Sequence, residues 1–319
     1  GKVIRKLREQ PATAGKSIHL TIDFTLQRYI MSLLSGQKGA VVVLDPKDNS
    51  VLAMVSTPSY DNNLFVDGIS SSDYKRLLED PTRPLYSRAT QGVYPPASTV
   101  KPFVAVAALT EGVITPNTTI FDPGYWTLPN STKRFRDWKK TGHGYTDLNK
   151  AITESSDTFF YQTAFNLGID RFSMWMKRFG FGMPTGIEIQ EEATANMPSK
   201  ELKQKRYKKP LVQGDTISVG IGQGYWTATP LQVAKATSIV VNNGKIHTPH
   251  LMKSVEGATI EPYQDPLLYE DITDPKQAYW DAAKRGMFNV VNSGAGTGRK
   301  AFIGTNYHVA GKSGTAQVF

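Results

Sequence analysis

The stretch Tyr94-Pro-Pro-Ala-Ser-Thr-Val-Lys101, which runs into the apolar segment Pro102-Phe-Val-Ala-Val-Ala-Ala-Leu109, decides how the centre of this chain folds. The two prolines favour a turn, and the alanine-rich run after them predicts a helix over residues 98–110 that stops at Glu111-Gly112. Because three residues separate them, Ser98 and Lys101 lie on one face of this helix, and their side chains are expected to touch.

A serine and a lysine in this arrangement can act as nucleophile and base. A serine hydroxyl is a poor nucleophile at neutral pH until a base accepts its proton, and lysine can serve when burial or nearby positive charge lowers its pKa. The helix start also offers free backbone N–H groups and the positive end of the helix dipole, which favour a developing oxyanion. In isolation, however, this spacing more often indicates an N-cap serine and a solvated lysine.

Two further motifs change that interpretation. Ser155-Ser-Asp157 alone could be a cap before the helix of Phe159-Phe-Tyr-Gln. Lys312-Ser-Gly-Thr315, followed by Ala-Gln-Val-Phe, indicates a strand whose glycine lets a ligand or another backbone come close. In combination with Ser98 and Lys101, however, the three motifs form the set that class A β-lactamases and penicillin-binding proteins share.

Longer stretches around the motifs make the resemblance specific. They are residues 91–102, 157–161, 213–216, 220–226 and 312–318. With them the chain, from about residue 15 to its last residue, resembles penicillin-binding protein 2, the class B, elongation-specific family of peptidoglycan D,D-transpeptidases. Asp157 favours this family over its cell-division relatives, which usually carry asparagine at the third position of the middle motif.

The order of the predicted elements indicates an α+β fold. A strand at 17–22, a helix from Asp23 to Leu34 and a hairpin of 40–44 with 51–55 come first. Helices at 98–110, 152–167, 171–179 and 229–241 follow, and the strand of the third motif comes last. The resemblance implies the penicillin-binding/serine β-lactamase-like transpeptidase fold, in which an antiparallel sheet packs with helices and a helical subdomain.

The resemblance also implies the domain limits. Residues 16–319 are expected to form the transpeptidase domain, and residues 1–15 a linker or the remnant of an N-terminal pedestal domain. The sheet strands and terminal helix that the family carries after the third motif are expected to be missing, so that the domain is truncated at its C-terminus.

The resemblance implies a serine acyl-enzyme mechanism. Ser98 would attack the penultimate D-Ala carbonyl of a stem pentapeptide, with Lys101 as its base. Ser155 would relay the proton to the leaving amine, and Asp157 would orient Lys101 or the peptide. Backbone N–H groups of Ser98 and Thr315 would form the oxyanion hole, and β-lactams would trap Ser98 by mimicking D-Ala-D-Ala. The residues expected to bind substrate are Lys312, Ser313, Gly314 and Thr315.

Two alternatives share these motifs. A serine β-lactamase needs a general base for its deacylating water, and no Glu-centred loop can be placed there in this sequence. A non-catalytic β-lactam sensor would acylate and stop, and the motifs alone do not separate it from a transpeptidase.

The chemistry itself requires no cofactor, but one segment raises a structural zinc ion as a hypothesis. Asp122, Asp137 and His143 lie in a Gly/Pro/Trp-rich segment, and carboxylate and imidazole groups suit zinc. Some elongation-type relatives carry a metal site in this region with a cysteine as a further ligand, whereas this chain has Ser156 at the comparable position. The missing thiolate favours hydrogen bonding within a long loop over a metal site.

The composition of the chain bears on which ligands and which chemistry it could use. The net charge of +9 suits anionic cell-wall polymers or membrane surfaces, and equally a simple role in solubility. The densest basic run, residues 200–209, is expected to be solvated and has no nucleic-acid motif beside it. The lack of cysteine excludes disulfides and thiol catalysis.

The resemblance implies a periplasmic catalytic domain, an inner-membrane anchor upstream of Gly1, and a membrane glycosyltransferase of the elongation machinery as partner in cell-wall biogenesis and cell shape.

Overall fold

The computed structural model describes residues 13–259 and 270–317. Residues 1–12 of the predicted linker and the last two residues of the chain lie outside the described residues. Within the described ranges the strands are β1 (Ile18–Leu20), β2 (Gly39–Leu44), β3 (Val51–Thr57), β4 (Thr119–Asp122), β5 (Tyr125–Thr127), β6 (Arg134–Arg136), β7 (Gly144–Asp147) and β8 (Met252–Val255). They form four antiparallel pairs, β1 with β8, β2 with β3, β4 with β7 and β5 with β6.

Helices make up most of the middle of the described chain. They are α1 (Phe24–Leu33), α2 (Ser71–Glu79), α3 (Lys101–Thr110), α4 (Leu148–Thr153), α5 (Asp157–Leu167), α6 (Ile169–Arg178), α7 (Lys200–Tyr207), α8 (Gln213–Val219), α9 (Pro230–Val241) and α10 (Gln277–Asn292). Together with the antiparallel pairs they form the expected α+β arrangement. None of the described helices combines the length and the apolar character needed to cross a membrane.

Helix α3 lies at the centre of the main hydrophobic core. Its residues from Lys101 to Leu109 are all buried, and it contacts α4, α5, α6, α9 and α10. A helix that is apolar on every side has to be surrounded by other elements, and its alanines let those helices approach closely. Packing on all sides therefore fixes the position of Lys101 at the first turn of α3.

A short 3-10 helix, Ala97–Val100, precedes α3, so the α-helical geometry begins at Lys101 and not at Ser98 as predicted. Ala97 has a positive φ of 51°, and its N–H donates to the carbonyl of Gly222 at 2.8 Å. A Cβ at Gly222 would lie 2.1 Å from the carbonyl oxygen of Ala97, so this position admits only glycine. The loop around Gly222 thus shapes the turn that carries Ser98.

Several predicted elements are confirmed. Asp23 caps α1, and β2 and β3 form the predicted hairpin. Helix α9 begins with Thr229 as N-cap, and the side chain of Gln232 completes the capping box. The basic run at 200–209 falls on α7, none of whose residues is buried, as expected for a solvated segment.

The single helix predicted over residues 152–167 is wrong, because the chain breaks between α4 and α5. Ser155 has a positive φ of 58°, and Ser156 is the N-cap of α5, where its hydroxyl accepts the N–H of Phe159. Serine side chains that bond to nearby backbone groups compete with helical hydrogen bonds, and here the Ser156 hydroxyl starts the second helix. The middle motif therefore lies in a turn.

The strand predicted for the third motif is also not formed. Residues 308–317 have no regular secondary structure, and their one backbone hydrogen bond to the rest of the described chain runs from the N–H of Gly311 to the carbonyl of Met287, at 3.0 Å. A strand needs a neighbouring backbone to satisfy its polar groups, and no described strand lies alongside this segment. Side-chain contacts hold the motif in place instead.

Candidate active site

The three motifs meet at the hydroxyl of Ser155. Lys101, whose side chain is fully buried, donates from Nζ to the Ser155 carbonyl at 2.8 Å, to Ser155 Oγ at 3.2 Å and to Asp157 Oδ1 at 2.7 Å. Lys312 donates from Nζ to the same Ser155 Oγ at 2.9 Å. Two lysines from distant parts of the chain therefore share one serine hydroxyl.

The first turn of α5 is held by a second carboxylate. Asp137 Oδ2 accepts the N–H of Asp157 at 2.6 Å and the N–H of Thr158 at 2.8 Å. A carboxylate at a helix N-terminus satisfies orphan N–H groups and interacts favourably with the helix dipole. This anchor fixes the backbone from which Asp157 reaches Lys101.

Ser98 lies beside this network without joining it. The residue is half-buried in the 3-10 turn, and its hydroxyl makes no hydrogen bond with any residue that the structure describes. All three protons of a Lys101 ammonium have partners on Ser155 and Asp157, so a charged Lys101 cannot also donate to Ser98. The contact between Ser98 and Lys101 stays a prediction, for which Lys101 would have to be neutral.

Burial lowers the pKa of Lys101, and this effect outweighs the opposing attraction of Asp157 and the more distant acidic groups. Burial also lowers the pKa of Lys312 to about 7, helped by the neighbouring Lys101 ammonium and opposed by Asp157. Lys312 is only half-buried, so solvent screens part of this effect. Two ammonium groups around one hydroxyl disfavour each other, which favours the neutral form of one of the two lysines.

Asp157 divides its carboxylate between two partners. Oδ1 accepts from Lys101, and Oδ2 accepts the backbone N–H of Trp138 at 3.3 Å. Of the two roles expected for this residue, orienting Lys101 or orienting the peptide, the described contacts favour the first.

Replacing Asp157 by asparagine is expected to move the acidic limb of the acylation rate to lower pH. The carboxylate favours the Lys101 ammonium, so its removal lowers the lysine pKa and leaves more neutral amine at a given pH. Rates of covalent labelling by a penicillin measured across pH check this shift. Asp170→Asn, at an exposed ion pair with Lys200, is the control. An unchanged limb in Asp157→Asn would indicate that Asp157 orients the substrate instead.

The third motif lies against the turn that carries Ser98. A Cβ at Gly314 would lie 2.9 Å from Thr99 Cγ2 and 3.3 Å from the carbonyl of Pro96, so glycine permits this close approach. Lys312 Nζ also donates to the carbonyl of Ser313, at 2.9 Å. Thr315 is exposed beside them. Lys312 and Gly314 therefore connect the segment predicted to bind substrate to Ser155 and to the turn that carries Ser98.

Sequence reasoning missed two residues at this site. Thr297 and Ser313 share a hydrogen bond between their hydroxyls at 2.8 Å, which ties the third motif to the loop after α10. Trp138 donates its indole N–H to the carbonyl of Ser155 at 3.1 Å. The glycine-rich run at 294–298 was a local signal for a close approach, whereas nothing local marked Trp138.

The residues Asp122, Asp137 and His143 do come together, and one ligand atom from each lies within 4.8 Å of the others. Ser156 Oγ donates to Asp122 Oδ2 at 2.9 Å. His143 Nδ1 lies 2.8 Å from Glu154 Oε2, and its Nε2 lies 3.4 Å from Asp137 Oδ1, an ion-pair distance without hydrogen-bond geometry. The cluster adjoins the middle motif.

The donors suit a divalent cation in kind, and most of them already have partners within the cluster, whereas the buried Nε2 of His143 has no hydrogen-bond partner. Burial alone would lower the pKa of His143, yet the carboxylates of Asp137 and Glu154 raise it, which favours an imidazolium. A metal would have to displace the proton from this imidazole, and the serine hydroxyl is a weaker ligand than a thiolate. The observed contacts therefore favour the hydrogen-bonding role predicted for this loop, and the zinc ion stays a hypothesis.

A serine in the turn before α3, two lysines that converge on a second serine and a close glycine-containing segment form the motif set of the penicillin-binding class. The penicillin binding protein transpeptidase domain family matches residues 39–319, and the chain belongs to this family. Over 319 residues the chain is 82% identical to peptidoglycan D,D-transpeptidase MrdA of Haemophilus influenzae, covering 100% of this chain and 49% of that protein. The chain thus spans about half the length of the curated relatives it matches.

Solved structures confirm the transpeptidase fold. Pseudomonas aeruginosa PBP2, in a complex with WCK 5153, matches with a TM-score of 0.90 at 47% identity, covering 95% of this chain and 68% of that chain. A structure on the coordination of polymerization and crosslinking by a peptidoglycan synthase complex matches with a TM-score of 0.82 at 32% identity, covering 95% of this chain and 54% of that chain. The resemblance inferred from the three motifs is thereby confirmed.

Proposed function

We propose that this chain is the catalytic domain of a peptidoglycan D,D-transpeptidase that cross-links stem peptides through a serine acyl-enzyme. The observation that carries the proposal is the convergence of Lys101 and Lys312 on Ser155 Oγ, at 3.2 and 2.9 Å. This arrangement supplies an amine base, a hydroxyl relay and a cation for a substrate carboxylate around one serine hydroxyl.

In the first half-reaction, neutral Lys101 accepts the proton of Ser98 as the serine oxygen attacks the penultimate D-Ala carbonyl. The tetrahedral oxyanion is stabilised by the N–H groups of Ser98 and Thr315. When the peptide bond breaks, Ser155 Oγ passes a proton to the leaving amine and receives one from a neighbouring lysine. Terminal D-Ala leaves, and the acyl group stays on Ser98.

In the second half-reaction, the amine of a neighbouring stem peptide attacks the ester on Ser98. The protons then move in the opposite direction. The attacking amine loses a proton through Ser155 to a lysine, and Ser98 regains its proton as the ester bond breaks. Lys312 and its neighbours Ser313 and Thr315 hold the carboxylate of the substrate. A β-lactam, which mimics D-Ala-D-Ala, acylates Ser98 and has no leaving group that diffuses away.

The likeness to PBP2 proteins and the aspartate at position 157 support a role in cell elongation. The related synthase complex supports a glycan-polymerising membrane glycosyltransferase as the partner. Since the substrate is the cell wall, we place the domain on the periplasmic side of the inner membrane.

We assign no cofactor to the acyl transfer. Each step above uses side chains and backbone groups of this chain alone. The cluster of Asp122, Asp137 and His143 supports the turn at Ser155 through hydrogen bonds, and a structural zinc ion there is the competing hypothesis.

The fate of the acyl group tests the proposed function. The protein is mixed with a D-Ala-D-Ala-type thioester and an added D-amino acid amine, and the products are separated by mass spectrometry. We expect transfer of the acyl group to the amine. Hydrolysis of a penicillin with rapid turnover would indicate a β-lactamase instead, and a stable adduct with no transfer would indicate a sensor.

A further inference from the structure

Trp138 has an exposed ring and anchored polar groups. The residue is 58% exposed, yet its indole N–H donates to the carbonyls of Ser155 at 3.1 Å and Glu154 at 3.2 Å. Its backbone N–H donates to Asp157 Oδ2 at 3.3 Å, and its ring meets the His143 ring edge-on at 5.6 Å. An exposed tryptophan with this many directed contacts is positioned by the site beneath it.

The carbonyl of Ser155 is the shared acceptor. It accepts from Lys101 Nζ at 2.8 Å and from Trp138 Nε1 at 3.1 Å. A carbonyl has two lone pairs, and a donor on one of them reduces the electron density that the other donor receives. The indole N–H therefore weakens the hold of this carbonyl on the Lys101 ammonium.

The same contact supports a strained turn. Ser155 has a positive φ of 58°, a conformation that a residue with a side chain adopts only when its surroundings enforce it. Trp138 reaches this turn from the loop after β6. Two donors, Lys101 Nζ and the indole N–H, hold the carbonyl of Ser155, and the Oγ of the same residue contacts both lysines.

We propose, on the basis of the function proposed above, that Trp138 is a positioning residue for acyl transfer. Its indole N–H fixes the turn at Ser155 and limits how strongly the Ser155 carbonyl stabilises the charged form of Lys101.

The charged groups around Lys101 are the carboxylates of Asp157, Asp137 and Asp122 and the ammonium of Lys312. The ring of Phe160 lies 5.5 Å from Lys101 Nζ. Replacing the indole removes none of these groups. A shift in the pH profile after such a change would therefore report on the shared carbonyl.

The first test is Trp138→Phe, which keeps an aromatic ring and removes the N–H. We expect acylation by a fluorescent penicillin at neutral pH to fall about threefold to tenfold, the factor that corresponds to an ordinary hydrogen bond. We also expect the acidic limb of the rate to move to higher pH, because the carbonyl then holds the ammonium more strongly. Asp157→Asn should move the limb in the opposite direction.

The matched control is Trp126→Phe. Trp126 packs against Phe135 and Phe165, and its indole N–H makes no hydrogen bond within the described residues. We expect the wild-type pH profile for this control. An unshifted limb in Trp138→Phe, with the wild type acylated normally, would overturn the role of Trp138 and leave the proposed function intact.

The second test needs no substrate. The chain has five tryptophans, so a ¹H–¹⁵N spectrum shows five indole signals, and the signal missing from Trp138→Phe belongs to Trp138. We expect Lys101→Met to move this signal and to leave that of Trp126 in place, since Lys101 and Trp138 share one acceptor. If the Trp138 signal does not move in Lys101→Met, the inference is wrong. If it moves but the wild-type protein is not acylated, the result counts against the proposed function alone.

Discussion

Replacing Ser98 by alanine is expected to abolish covalent labelling by a fluorescent penicillin while the protein stays folded. Loss of the nucleophile in a serine acyl enzyme lowers the rate by roughly 10⁶-fold, far below detection in a labelling gel. The fold should persist because Ser98 Oγ bonds to no described residue, and the network of Lys101, Ser155 and Lys312 does not depend on it. Labelling intensity and the thermal midpoint, measured on the same samples, check both parts.

Ser70→Ala is the matched control for this variant. Ser70 is the N-cap of α2, outside the three motifs, so its loss should cost about 1 kcal/mol of stability and leave labelling unchanged. Persistent labelling of a folded Ser98→Ala protein would show that another residue is the nucleophile.

Replacing Lys101 by arginine is expected to remove nearly all acylation. A guanidinium keeps its charge at any working pH and so cannot accept the proton of Ser98. Lys101 is also fully buried, so the larger group strains the core of α3, and Lys101→Met serves as a second variant that fits the space without a charge. Both variants should lose acylation, and their thermal midpoints separate chemistry from folding.

Lys312→Arg provides the comparison within the site. Lys312 is half-buried and is proposed to bind a carboxylate, a task that arginine can also perform, so acylation should fall less than in Lys101→Arg. Near-normal acylation rates in Lys101→Met would show that Lys101 is not the base. If acylation fell more in Lys312→Arg than in Lys101→Arg, Lys312 would be the base and Lys101 the carboxylate-binding cation.

Local sequence signals were sufficient to predict the helices whose own residues mark where they begin or end. Helix α9 follows from Thr229, Pro230 and Gln232, and the buried character of α3 follows from its alanine-rich run after Ser98. These features depend on hydrogen bonds and packing patterns within a few residues, which a sequence displays directly.

Long-range contacts decided what the sequence did not reveal. The break at Ser155 depends on donors from α3 and from the loop after β6, which both bond to the carbonyl in this turn. The segment around Lys312 has the composition of a strand, but a strand forms only where another backbone pairs with it. Its described position instead comes from Ser155, Thr297 and the space above Thr99.

In the candidate site, too, local sequence signals predicted some features and long-range contacts decided the others. The residue types of the three motifs predicted the chemistry, and the resemblance offered Asp157 as a residue that orients Lys101 or the peptide, but neither indicated that Lys101 would contact Ser155 and not Ser98. Trp138 had no signal at all, because its role depends on a carbonyl seventeen residues away in the chain. Sequence separation hides such contacts, and only the fold brings them together.

Peptide mapping of the acylated protein tests the central claim most directly. Wild-type protein is treated briefly with a penicillin, digested, and sequenced by tandem mass spectrometry. The account predicts one drug adduct, on the peptide that contains Ser98 and on the oxygen of that residue. An adduct on Ser155, Ser313 or any other residue would contradict it.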